Sequence, residues 1–176
     1  MLCGDSARTI ILILNWRDYD SAQSHPQHQA IESGIGDQQI AALAELATAV
    51  SFEADELILV EGQRSKCFYL ITDGSVAVEL RSPTFVVCVQ ALAPGHVFGW
   101  SALLEDHDTL FQVRARERTA ALRLNGAALR AACLSDTLLG TELLQRTLKV
   151  VAGRVRAIEM RFAEMCGVRV WPPPPI

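Results

Sequence analysis

The chain has 176 residues, half of them hydrophobic and a fifth charged, with a net charge of −4. That length suits one compact domain with some attached helix, and the composition excludes a disordered chain. The acidic balance excludes a global basic field for nucleic acid, although the C-terminal third is richer in Arg than the rest. Five cysteines (Cys3, Cys67, Cys88, Cys133 and Cys166) are widely spaced and include no C-x-x-C pair, so neither a disulfide framework nor a zinc site is indicated. The longest early apolar run, "IILIL" at Ile10 to Leu14, is far short of a membrane span and short for a signal-peptide core. The expectation is a cytoplasmic protein with no membrane contact.

Residues 1–34 read as a loose N-terminal extension: "DYDSAQSHPQHQAIESG" is polar, with Pro26 and Gly34, and has no period. The stretch "GDQQIAALAELATAV" is the first helix. Asp37 stands as its cap, and Ile40, Leu43, Ala44, Ala47 and Val50 fall on one face at helical spacing. From Ser51 to Leu124 short apolar runs alternate with turn pairs, which predicts six to eight short strands in a small antiparallel barrel or two-sheet roll. "TDGS" is a hairpin signal, because Asp-Gly suits a tight turn with positive φ. In "SVAVEL" the alternation puts Val76, Val78 and Leu80 on one face, opposite Ala77 and Glu79. Within this region "VFGWSALL" reads as a turn glycine followed by a short helix, which is an arrangement that seats anions.

After Asn125 the helical period returns. "GAALRAACLSD" is a short helix, and a long one runs from about Thr137 to Met165. In the long helix Leu144, Leu148, Val151, Val155, Ile158, Phe162 and Met165 step by 4, 3, 4, 3, 4, 3, the spacing of a coiled-coil seam. With Leu148 at position a, Arg154 is a g position and would face Glu159 of a second parallel copy. The seam therefore predicts a homodimer through this helix, the alternative being that the stripe covers the roll of its own chain. Residues 167–176 form a Pro-rich tail, "VWPPPPI", which cannot continue the helix and suits an extended end or a docking segment for a protein partner.

This order of elements resembles the cyclic nucleotide-binding domain, the effector domain of catabolite-activator-type transcription factors, cyclic-nucleotide-dependent kinases and gated channels. The resemblance covers about residues 35–165. It is carried by "VEGQRSKCFYLITDGSVAVEL", "LAPGHVFGWSALL" and "VRARERTAALRLNGAALRAAC", with turn glycines at Gly62, Gly74 and Gly99. It implies a mainly β fold: an antiparallel β-roll of the jelly-roll, cupin-like kind, with an N-terminal helix, a short phosphate-site helix and a long C-terminal helix. The implied domain spans residues 35–166, with the roll at 51–124 and the C-terminal helices at 126–166.

In that family the cyclic phosphate rests on N–H groups at the start of the short helix, a Glu after the Phe-Gly pair holds the ribose, and an Arg about ten residues on clamps the phosphate. Carried over position by position, the Glu place is Trp100, the Arg place is Thr109, and the hydroxyl place after it is Leu110, with Phe111 next. Loss of a charged clamp from a buried site costs on the order of 2–5 kcal/mol, roughly thirtyfold to several-thousandfold in affinity. An unpaired ribose hydroxyl adds about 1–3 kcal/mol. What the resemblance leaves as candidate ligand contacts are Gly99, Trp100, Ser101, Ala102, Thr109 and Leu110. No Arg lies between Trp100 and Val113, so a gap in the loop does not restore the clamp. Arg114 and Arg116 share one strand face and reach the pocket only if Val113 and Ala115 point elsewhere.

Other chemistries find little support. His96 and His107 are distant from each other and His25 and His28 lie in the extension, so a cupin-like metalloenzyme stands last among the readings. Ser101 has no G-x-S-x-G elbow, and no phosphate-binding glycine loop occurs. Only "CGVRVWPPPPI" follows the long helix, so direct DNA reading is not expected. The sequence thus points to a regulatory or sensory module and not an enzyme, with three readings open. These are binding of cyclic AMP or cyclic GMP, binding of a different and more apolar effector, and a ligand-free interaction scaffold.

Overall fold

The computed structural model of the chain describes residues 36–104 and 108–167. The N-terminal extension, His107 and all but the first residue of the Pro-rich tail lie outside the described residues.

Helix α1 spans Asp37–Leu46 and is followed directly by strand β1, Ala47–Phe52. Two expectations are corrected here. Gly36 occupies the N-cap position, with Asp37 the first helical residue, and the helix stops at Leu46. Ala47 and Val50 belong to a strand, because "ATAVSF" alternates and carries β-branched residues that pair with a neighbour, from Ala47 opposite Leu124 to Phe52 opposite Thr119. Ile40 and Leu43 are buried as the helical spacing requires.

The remaining strands are β2 (Leu57–Leu59), β3 (Cys67–Asp73), β4 (Val76–Arg81), β5 (Val86–Leu92), β6 (Val97–Phe98), β7 (Gln112–Ala115) and β8 (Thr119–Asn125). They form two four-stranded antiparallel sheets, ordered β1-β8-β3-β6 and β2-β7-β4-β5. Successive side chains of β3 serve two cores. Phe68 and Leu70 point to a cluster with Ile40, Leu43, Leu129 and Leu139 from the helices. Tyr69 and Ile71 point between the sheets, where they meet Val76, Val78, Phe98 and Val113. The Tyr69 ring stacks on Phe98 with centroids 4.7 Å apart. Complete burial of a side chain the size of Phe98 stabilises the roll by about 1.5–3 kcal/mol.

The β3–β4 hairpin turns on Gly74, whose φ of +76° is open to glycine, as "TDGS" predicts. In β4, Val76 and Val78 are fully buried and Leu80 is exposed. Pairing with β7 ends at Glu79 opposite Gln112, so Leu80 lies beyond the cover of that strand, and the β4–β5 register shifts by one residue on the β5 side.

Helix α2 (Gly126–Ser135) is capped by Asn125, whose side chain accepts from the Ala128 N–H at 3.1 Å. Helix α3 (Thr137–Met165) is capped by Asp136, which accepts from the Leu138 and Leu139 N–H groups at 3.0 Å. The Gln39 amide donates to the same carboxylate, tying α1 to the start of α3. Leu139, Gly140 and Leu143 anchor α3 to α2 and the core, and the helix then passes over β5. Among the described residues no helix is long and apolar enough to cross a membrane.

Candidate functional site

Between β6 and β7 the chain leaves the roll, and the site is built there. Gly99 has φ +73° and ψ 22°, and a Cβ at this position would collide with the Cys67 carbonyl oxygen. Only glycine makes this turn, which starts a single turn of 3-10 helix, Trp100–Leu103. It closes through Ala102 N–H to the Gly99 carbonyl and Leu104 N–H to the Ser101 carbonyl, both at 3.0 Å. Trp100 and Leu103 rest on the helix-side core.

Beside this turn lies a cavity of about 200 Å³. Gly99, Trp100, Ser101, Thr109 and Leu110 all line it, so the structure brings together five of the residues singled out from sequence. Leu110 contributes only an edge, being 76% exposed. Ala102 faces the other way: it is buried, and its carbonyl accepts a hydrogen bond from the Arg130 guanidinium. The walls are mostly apolar, with Leu59, Val78, Phe111 and Val113 facing Trp100.

Thr109, which the sequence reading set at the place of an Arg, uses its hydroxyl locally. Its Oγ1 donates to the Phe111 carbonyl at 3.2 Å and accepts from the Phe111 N–H at 3.1 Å, which closes a side-chain turn. Its carbonyl accepts from the Gly62 N–H at 2.7 Å, stitching the loop to the start of the β2–β3 connection. The Arg residues of the following strand do not reach inward either. Val113 faces the cavity, so Arg114 takes the opposite side, where its Nε lies 3.3 Å from Glu79 Oε2 and its Nη1 donates to the Asp55 carbonyl at 2.8 Å. Arg116 is exposed.

The sequence reading missed one lining residue of consequence. Arg154, placed by heptad counting at a g position facing a second copy, instead turns toward the roll and is 8% exposed. It lines the cavity together with Trp100 and Ser101. Its Nε lies 3.5 Å from Gln90 Oε1, at the outer limit of a hydrogen bond, and its buried Nη2 has no partner. Burial pushes the guanidinium down from its ordinary value, but that value is so high that the group stays charged at neutral pH. The signal was present in a second stripe: Leu143, Thr147, Val150, Arg154 and Ala157 recur at helical spacing and are all buried or half-buried. The more apolar seam lies on the outer face, with Leu144, Leu148, Val155 and Phe162 all exposed, Leu148 and Phe162 at 68%.

Comparison with known proteins agrees with this architecture. The family model described as the cyclic nucleotide-binding domain matches residues 49–136. A Rhodopseudomonas palustris protein named as a potassium channel protein is 28% identical over 156 residues, covering 88% of this chain and 37% of its own length. The crystal structure of a cyclic nucleotide-binding domain from Methylobacillus flagellatus superposes with a TM-score of 0.74 at 17% identity, covering 91% of this chain and 84% of the other. The catabolite activator protein of Thermus thermophilus gives 0.62 at 19% identity, covering 76% and 61%. A third neighbour, at 0.59 and 22% identity over 82% of this chain and 48% of its own, is a variant regulatory subunit of a cAMP-independent protein kinase A from Trypanosoma brucei. That variant carries Glu-to-Ala, Thr-to-Arg and Val-to-Ala changes and is bound to cAMP in its A site. With a roll, a glycine-led 3-10 turn and two C-terminal helices in this order, and with half its length matched by the family model, this chain belongs to the cyclic nucleotide-binding domain family.

Proposed function

We propose that this chain is a regulatory module whose pocket keeps the family's scaffold but has exchanged its ionic grips on a cyclic nucleotide for an apolar lining. The observation that carries this reading is the loop itself. Trp100 stands where a Glu would hold the ribose, and Thr109 stands where an Arg would clamp the phosphate, with its hydroxyl already engaged by Phe111. Binding of cyclic AMP and cyclic GMP is therefore weakened by roughly thirtyfold to several-thousandfold relative to a site with both grips. The Trypanosoma subunit lends support, since a Thr-to-Arg change is among the three in a cAMP-bound variant of a cAMP-independent protein.

The exposed seam of α3 supplies the output. Leu144, Leu148, Val155, Ile158, Phe162 and Met165, with the half-buried Val151 among them, form a stripe that the described residues leave exposed, Met165 at 85%. A continuous apolar face of this kind marks an interaction surface, and its heptad spacing suits a second copy of the same helix. The module is thus a homodimer through α3, in which an effector seated beside the helix biases the pairing.

Isothermal calorimetry with cyclic AMP and cyclic GMP tests the site. Dissociation constants weaker than about 10 μM are expected, and tighter binding overturns the reading. Mass spectrometry of the denatured purified protein reports any other small molecule carried from the cell, and its absence favours a scaffold that works without a ligand.

A further inference from the structure

We infer that Arg154 supplies from α3 the anion grip that the loop lacks, so that the cavity takes a small carboxylate or phosphate monoester with an apolar body. This rests on the reading of the cavity as an effector site and names the chemistry of its occupant. A guanidinium held at 8% exposure with one Nη lacking any partner is an unsatisfied charge, and a site of that kind calls for an anion. Among the described residues no carboxylate pairs with it. The two carboxylates in question are otherwise placed. Glu79 is held by the Gln112 amide at 2.6 Å and by Arg114 at 3.3 Å, and Asp108 is exposed at the cavity rim.

The rest of the cavity sets the body of the ligand. Leu59, Val78, Phe111 and Val113 with the Trp100 ring offer apolar walls, and Ser101 adds a hydroxyl near the glycine turn. Its volume of about 200 Å³ lies below the ~300–1,000 Å³ typical for drug-sized ligands, so a single-ring anion fits more readily than a whole nucleotide. The grip also sits on the helix that carries the pairing face. Arg154 is flanked along α3 by the half-buried Val151 and the exposed Val155 of the seam, so an anion that draws in the guanidinium fixes that helix.

The test uses the full chain labelled with nitrogen-15, with the Arg154 Nε–H resonance assigned through Arg154→Lys. The probes are benzoate, phenyl phosphate, cyclic AMP and neutral benzyl alcohol. The expected result is a saturable shift of that resonance with benzoate or phenyl phosphate, at least about tenfold tighter than with benzyl alcohol. In calorimetric titrations, which need no Arg154 signal, Arg154→Met is expected to weaken the anions about tenfold or more and benzyl alcohol by less. Benzoate against phenyl phosphate distinguishes a carboxylate effector from a phosphate one. The inference is overturned if no anion moves the resonance, or if Arg154→Met binds the anions as well as the parent protein. It also falls if Asp108→Asn moves the resonance without any anion, because the charge would then already be matched within the chain. Tight cyclic AMP binding would refute both the impaired-site reading and the assignment of a single-ring anion to this cavity. An absence of response to every probe would sink this inference and leave that reading standing.

Discussion

Arg154→Met separates stability from ligand recognition. In the free protein the guanidinium is nearly buried, lies 3.5 Å from its nearest acceptor, and leaves Nη2 unsatisfied. An unsatisfied buried donor costs about 1–3 kcal/mol, more if charged, and replacing buried charge by a well-packed apolar side chain is often stabilising. Met retains an unbranched stem of similar length and fills irregular gaps, so little packing is lost. The expected gain of about 1–3 kcal/mol corresponds to a rise in Tm of roughly 2–12 °C for a chain of this size. Differential scanning calorimetry in a buffer free of phosphate and carboxylate reads it. A fall in Tm of several degrees would refute the reasoning, because it would mean that the guanidinium has a strong partner in the unliganded protein.

Further outcomes follow from other parts of the structure. Val155→Lys places a charge in the exposed seam of α3. Sedimentation velocity is expected to show a dimer for the parent and a monomer for the variant, with circular dichroism unchanged and stability within about 0.5 kcal/mol; a monomeric parent removes the seam argument. Gly99→Ala forces a Cβ against the Cys67 carbonyl at a positive φ, so the urea midpoint should fall by the equivalent of more than about 1 kcal/mol, and an unchanged midpoint would contradict the turn geometry. The Asp136 carboxyl is held below its ordinary value, first by the Leu139 N–H and then by the Gln39 amide. A depressed folded-state value means that its stabilisation is complete above the unfolded value of about 3.9 and fades as pH falls through the folded one. The advantage of the parent over Asp136→Asn in urea midpoint should therefore hold from pH 7 to 5 and shrink below about pH 4; growth on acidification would reverse the sign of this account.

Much of the architecture was legible because local chemistry and tertiary need agree. The strand texture, the Asp-Gly hairpin at Gly74 and the helix starts after Asn125 and at Thr137 each follow from residues that have few alternatives. Helix α3 ends where its period ends, at Met165. Where the reading failed, two patterns shared one stretch. "ELATAVSF" satisfies a helical face through Ala47 and Val50, but it also alternates, and pairing with β8 decided for the strand. In "SVAVEL" alternation tells which residues share a face but not how far a partner strand covers it, and β7 stops short of Leu80.

The site shows the same division. The glycine-led turn is visible in the letters, because a backbone seat at positive φ needs Gly99, and so is the gathering of Trp100 and Thr109 beside it. Arg154 is not, because α3 carries two stripes and the richer one won the count. Leu144, Leu148, Val155 and Phe162 outweigh Thr147, Val150, Arg154 and Ala157 in hydrophobicity, yet the poorer stripe meets the roll. Periodicity measures which face is more apolar. It does not say which partner covers that face, and a helix serving both a cavity and an outer surface defeats the inference.

The most direct test of the exchanged-grip claim is calorimetric titration of cyclic AMP into Trp100→Glu/Thr109→Arg alongside the parent chain. Restoring the ribose and phosphate partners at the glycine turn is predicted to tighten binding by roughly thirtyfold to several-thousandfold. Equal affinity in the two proteins, with the variant folded, would contradict the account.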